Sequence, residues 1–290
     1  MHERRLRARS QLGGWLCAAL LVCACGPSGA RAEQGDLAGS LELVDPHALR
    51  VCADPRDLPF SDQAGEGFEN KIADLFARKL GKNLTYTFYP GATGFVRKTL
   101  NAYRCDLVMG VPLGDDEVQP TNPYYRTSYA AVARKGSAFD RLDSIEDPRL
   151  RTAKIGIVAG TPPATYLAID GLLAKIKSYP LVIDTRYDSS SQAMIDDLRN
   201  GTIDVALLWG PIAGYYASHS SAVPLAVTPL LKEHGGPELV YRVVMGVRHS
   251  DQDWKRQVNK LIAENRSEID GILRSYGVPL LDENDPPQAR

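Results

Sequence analysis

Between Leu49 and Pro90 the hydrophobic pattern changes period twice, and that change constrains the fold more than any other stretch of the chain. A short apolar run (Leu49, Val51) breaks into a proline-bearing loop holding Asp54, Pro55, Pro59 and Phe60. Phe68, Ile72, Leu75, Phe76 and Leu80 then recur at helical spacing, which predicts a helix stopped by Gly81. Leu84, Tyr86 and Phe88 alternate as one face of a strand does. Strand, loop, helix and strand make a βαβ unit, so the sheet is parallel and ligands belong beyond the carboxyl ends of its strands. The loop from Asp54 to Phe60 lies at such an end.

The rest of the chain extends this α/β pattern. Gly94 to Arg104 reads as a short amphipathic helix, followed by a third strand that begins at Cys105 and ends at Gly110-Val111-Pro112. Ser128 to Ala133 reads as a strand leaving this first unit. A second unit opens with the β run Ile155 to Val158, then Gly160-Thr161-Pro162-Pro163, a cap-and-proline start for a helix. Val182-Ile183 precedes another turn into a helix, Ser190 to Leu198. Ile203 to Trp209 has the length and composition of a buried parallel strand. Val240 to Val247 carries the chain back, and helices between Trp254 and Arg274 repack on the first unit. Residues 49–133 with 240–290 are therefore expected to form lobe one and 134–239 lobe two, with a cleft between them.

Residues 1–32 read as an export signal. Arg4, Arg5, Arg7 and Arg9 precede an apolar stretch, Leu12 to Cys25, too short to span a bilayer, and Ala30-Arg31-Ala32 supplies a small-residue cleavage site. Val22-Cys23-Ala24-Cys25 competes with that reading as a lipobox, in which Cys25 is lipidated and anchors the protein to a membrane. Residues 33–48 read as a polar tether. Of 34 basic and 35 acidic side chains the leader holds five and one, leaving 29 and 34 and a net charge of −5. A mildly acidic chain argues against nucleic acid as a partner and is compatible with a basic protein one.

Little in the sequence favours catalysis. The five histidines (His2, His47, His219, His234, His249) are scattered without ligand spacing, and there is no H-E-x-x-H, phosphate loop or Gly-x-Ser-x-Gly. No metal site and no cofactor is expected.

The words LPFS, EGFENKIA and NPYY resemble type II periplasmic solute-binding proteins of family 3, whose pattern is a strand, a "PPF" loop and a "GFDVDL" helix start. Pro59-Phe60 and Gly67-Phe68-Glu69 stand in those places. The resemblance implies two α/β lobes joined by two crossover strands. In amino-acid receptors of that family an Arg after the third strand grips the ligand carboxylate, and an Asp ending a lobe-two strand grips the ammonium. Here Gly110 to Pro123 has no Arg, and Trp209 stands in the Asp position. Losing one partner of a buried ion pair costs about 2–5 kcal/mol, so an ordinary amino-acid receptor is not expected.

The remaining cleft candidates are Asp54, Phe60, Arg97, Gly110, Thr161 and Trp209, with Phe60 and Trp209 as a stacking pair and Tyr124 and Tyr125 as a cleft rim or protein contact. With the leader removed, Cys52 and Cys105 are the cysteines left. An exported pair reads first as a disulfide, because the fold makes their strands neighbours; two separate buried thiols are the alternative.

The phrases VCADPRDLPFS, GFVRKTLNAYRCDLVMGVP and PYYRTSY narrow the resemblance to the quinoprotein dehydrogenase-associated binding-protein-like group, the MoxJ/XoxJ type. That likeness is close over Leu49 to Tyr129 and looser beyond. It implies a non-catalytic periplasmic protein that assists assembly or activation of a PQQ-dependent methanol dehydrogenase. The competing reading is the receptor of an ABC importer for a small solute other than an amino acid.

Overall fold

The computed structural model describes residues 42–91, 93–181, 189–219 and 223–282. The leader with Cys25, most of the tether and the expected Val182-Ile183 element lie outside them.

In the first lobe β1 (Ala48–Ala53) leads into a small ribbon of β2 (Arg56–Asp57) and β3 (Ser61–Asp62), then α1 (Phe68–Leu80) and β4 (Asn83–Phe88). β1 pairs in parallel with β4, as the βαβ pattern requires. The Gly-Phe start of α1 has a steric cause. A Cβ on Gly67 would lie 2.1 Å from the Phe60 carbonyl oxygen, so only glycine lets the ribbon cross the helix start. The Asn70 side chain accepts N–H bonds from Gly67 (3.1 Å) and Asp62 (3.0 Å), fixing the entry of the helix. Gly81, with φ +65°, ends it.

The expected helix over 94–104 is shorter. α2 covers Phe95–Lys98, and Thr99 leaves helical geometry while its hydroxyl donates to the Phe95 carbonyl. The chain must then turn, with Tyr103 at positive φ, to bring Cys105 to Cys52. Those cysteines form a disulfide with Cα atoms 5.5 Å apart. β5 (Leu107–Pro112) starts two residues after Cys105 and lies parallel to β1. Leu107 and Met109 join the core under α1 and Val108 joins the disulfide on the opposite face; Gly110, at φ +73°, breaks the alternation, so that Val111 lies with Val108.

After the two-residue β6 (Gln119–Pro120), β7 (Tyr125–Arg134) carries the chain out. The second lobe contains β8 (Ile155–Val158), α3 (Pro162–Ile169), β9 (Ile176–Tyr179), α4 (Ser190–Asn200), β10 (Val205–Trp209), α5 (Gly210–Ser218) and β11 (Leu225–Pro229). β12 (Val240–Val247) returns, and α6 (Gln252–Glu264) and α7 (Arg266–Ser275) close the first lobe. Among the described residues one sheet path runs β4-β1-β5-β12-β7-β10-β8-β9. The crossover strands make the join: residues 125–128 of β7 pair with β12, while residues 129–134 pair with β10 and β11. This is the type II periplasmic-binding-protein fold.

Each lobe keeps its own core. Phe68, Ile72, Phe76, Trp254, Val258 and Ile269 fill the first. In the second, β10 sends Val205 and Leu207 to one cluster and Ala206 and Leu208 to the other. A buried ion network ties the first lobe behind the disulfide. Asp106 accepts from Arg50 Nε (2.7 Å) and from Arg248 (2.7 Å), while Arg248 donates to the Cys105 carbonyl (2.6 Å). Asp251 lies 2.6 Å from Arg248 but off the donor axis, a charge contact without a hydrogen bond.

Candidate functional site

A cavity of about 560 Å³ opens between the lobes. Asp54, Arg56, Asp57, Leu58 and Phe60 line it from the loop after β1; Thr161, Leu181 and Ser190 line it from the second lobe. Tyr129, Trp209 and Tyr241, one residue from each of β7, β10 and β12, form its back wall. Their rings pack edge to face, Trp209 at 5.2 Å from Tyr129 and 5.5 Å from Tyr241. A smaller recess of about 210 Å³ shares Asp54, Asp57, Phe60 and Trp209 with it and reaches Glu69 and Gly110.

The cavity brings together four of the six residues singled out in the sequence. Asp54 is buried at its edge, with both carboxylate oxygens spent on the backbone N–H groups of Arg56 (2.7 Å) and Gly91. Its geometry braces the loop. Phe60 and Trp209 both line the cavity but do not stack on each other; Phe60 packs against Phe68 at 5.3 Å. Thr161 precedes α3, yet its hydroxyl donates to the Val158 carbonyl (2.7 Å) rather than capping the helix. Gly110 lies in the recess, and its role is spatial: at φ +73°, a Cβ there would come within 2.5 Å of Glu69 Oε1.

Two expectations are corrected. Arg97 is exposed on α2, beside Gly94, and lines neither cavity. Tyr124 and Tyr125 are 0% and 3% exposed, so they are core residues and offer no surface to a partner. Their rings meet at 4.7 Å, and the Tyr124 hydroxyl accepts the Gly110 N–H (3.1 Å). An aromatic pair beside a proline looked like a rim in the sequence; in the fold it starts a crossover strand and is covered by the first lobe's helices.

Asp57 and Glu69 were missed. Asp57 is exposed at the cleft, and its pKa is pushed up to about 7 by the desolvating protein around the cleft and then by Asp54. Glu69, partly buried, is pushed up to about 8 by burial and then by Asp57. Neither side chain has a hydrogen-bond partner among the described residues. Both lie in the Phe60 and Gly67-Phe68 phrases, but one sequence cannot show which carboxylates line the cleft. Arg56 also lines the cavity and has a partner of its own. Among the described residues no cluster of three or more His, Cys, Asp or Glu is placed to hold a metal ion.

Residues 49–278 match the family of bacterial extracellular solute-binding proteins, family 3. The chain belongs to that family. Within it the chain is of the MoxJ/XoxJ type. Protein MoxJ of Paracoccus denitrificans is 29% identical over 254 residues, covering 82% of this chain and 91% of that protein. The crystal structure of the periplasmic binding protein XoxJ from Methylobacterium extorquens AM1 superposes with a TM-score of 0.67 at 43% identity, covering 81% of this chain and 100% of that one. MxaJ from Methlophaga aminisulfidivorans MPT gives a TM-score of 0.70 at 26% identity, covering 80% and 100%. An ancestral cationic amino-acid-binding protein, at 21% identity and a TM-score of 0.62, shares the fold alone. Among the described residues no helix is long and apolar enough to cross a membrane.

Proposed function

We propose that this is a non-catalytic periplasmic accessory protein that assists assembly or activation of a PQQ-dependent methanol dehydrogenase. The observation that carries the reading is the 43% identity to XoxJ over the whole of that chain, joined to the dehydrogenase-associated phrases between Leu49 and Tyr129. The cleft agrees with it. Trp209 packs against Tyr129 and Tyr241, and the family resemblance would put an ammonium-binding Asp at its position. Exposed Leu58 and Leu181, on opposite walls, give the mouth an apolar character suited to a polypeptide segment.

The test is direct addition of the purified protein to freshly isolated methanol dehydrogenase. A complex on gel filtration, or a gain in activity, is expected. No complex and no change in activity would remove the proposal. The size of the cavity favours a second reading, the importer receptor for a small solute. A ligand raising thermal stability at micromolar concentration, with methanol oxidation intact in a deletion strain, would select it.

A further inference from the structure

Besides the crossover strands, the two lobes meet at a third place. Residues 276–282, which follow the body of α7, lie between the first lobe and α5 (Gly210–Ser218) of the second. The first lobe holds this segment firmly. Val278 is 4% exposed within its core and Leu280 packs against the same core. The Tyr276 ring stands edge-on to Phe68 at 5.8 Å, and its hydroxyl donates to the Glu66 carbonyl. Thr127 and Arg126, on the half of β7 that pairs with β12, donate to the carbonyls of Pro279 (2.8 Å) and Asp282 (2.6 Å).

α5 belongs as firmly to the second lobe. It leaves β10 directly, and Ala213 and Tyr216 pack into one of that lobe's core clusters. Another side of the helix meets the C-terminal segment at three positions, one helical turn apart. A Cβ on Gly210 would lie 2.8 Å from the Pro279 ring, and one on Gly214 would lie 1.8 Å from the Gly277 carbonyl oxygen. A Cβ on Gly277 would in turn lie 3.0 Å from Ser218 Oγ. Beside them the Tyr215 and Tyr276 rings stack at 6.4 Å, with 19° between their planes. Positions 210, 214 and 218 share one face, so the contact runs the length of the helix. At Gly214 main chain meets main chain, with no side chain between them to yield.

Closing two hinged lobes requires such surfaces to tilt or slide. The contact spans about 12 Å of helix, so a rotation of about 15° across it would lift one end by about 3 Å. A gap of about 1 Å already forfeits up to half of a van der Waals contact. We propose that residues 276–282 latch α5 to the first lobe and fix the angle between the lobes, so that the cleft keeps one width. The inference concerns the frame around the cleft and holds whichever partner or solute enters it.

The experiment is pulsed electron–electron double resonance on the purified protein. Spin labels are carried by Ala64→Cys in the first lobe and Lys175→Cys in the second, both at exposed positions. The otherwise unaltered protein should give a single narrow distance peak. Gly214→Ala adds a methyl from which the Gly277 carbonyl must retreat, while favouring the helix itself. It should broaden the distribution or displace its peak by about 3 Å or more. Tyr276→Ala removes the ring between Phe68 and Tyr215 and should broaden the distribution too; it decides if Gly214→Ala does not fold. A broad or two-peaked distribution without either substitution overturns the proposal. So does a variant that lowers the melting temperature yet leaves the peak unmoved and unbroadened, since the contact would then be packing alone.

Discussion

Replacing Asp106 with asparagine should be among the most damaging single changes outside the cleft. Asp106 is 1% exposed and takes bonds from Arg50 and Arg248, of which Arg248 is 4% exposed and Arg50 26%. Removing its charge leaves the buried Arg248 guanidinium with the off-axis Asp251 contact, the Cys105 and Leu100 carbonyls and the face of the Tyr103 ring. Breaking a buried pair by removing one partner costs about 3–5 kcal/mol. For a chain of this size that corresponds to a fall in melting temperature of roughly 6–20 °C. Arg50→Ala, at a half-wet site, should cost only about 1 kcal/mol. Urea denaturation of both variants measures the contrast. Adding Arg248→Met to Asp106→Asn should recover part of the loss, since no charge is then stranded. A loss under about 1 kcal/mol for Asp106→Asn, or equal losses at Asp106 and Arg50, would refute the view that desolvation governs this network.

Three further outcomes are expected. Replacing both Cys52 and Cys105 with alanine reopens a separation of 53 residues, which the chain-entropy treatment converts to about 4 kcal/mol, readable by urea denaturation. Glu69 has a pKa raised from 4.5 to about 8, so the folded protein holds a proton that the unfolded chain has released. Its contribution to stability is complete below pH 4.5 and is lost as pH rises through about 8; Glu69→Gln should flatten that decline in thermal melts between pH 5 and 9. Gly67→Ala drives a methyl into the Phe60 carbonyl and should cost about 1–3 kcal/mol, with the change in circular-dichroism melting confirming or denying it.

The fold was legible because its signals are local. The period change at 49–90, the Gly81 stop and the apolar run ending at Trp209 each need only a few neighbouring residues, and the two crossover strands followed from the order of elements. The disulfide was legible as one of two readings because its strands are adjacent. The 94–104 segment misled because Leu100 and Tyr103 have helical spacing, whereas the link from Cys105 to Cys52 bends the chain there. The site was only half readable. Phe60, Trp209 and the absence of an Arg between Gly110 and Pro123 could be seen, but Tyr129 and Tyr241 sit 112 positions apart and meet only through the pairing of the crossover strands. Asp57 and Glu69 look like ordinary loop and helix-start acids until the ribbon sets them at the edge of the cleft and its recess.

The segment after α7 closes behind the crossover strands. The Gly277 carbonyl oxygen lies within 1.8 Å of where a Cβ on Gly214 of α5 would be, Thr127 donates to the Pro279 carbonyl (2.8 Å), and Leu281 donates to the Arg126 carbonyl (2.9 Å). One short stretch thus staples the exit strand to a helix of the far lobe. Protease nicking at Gly277 would loosen the angle between the jaws without touching a residue that faces their bite.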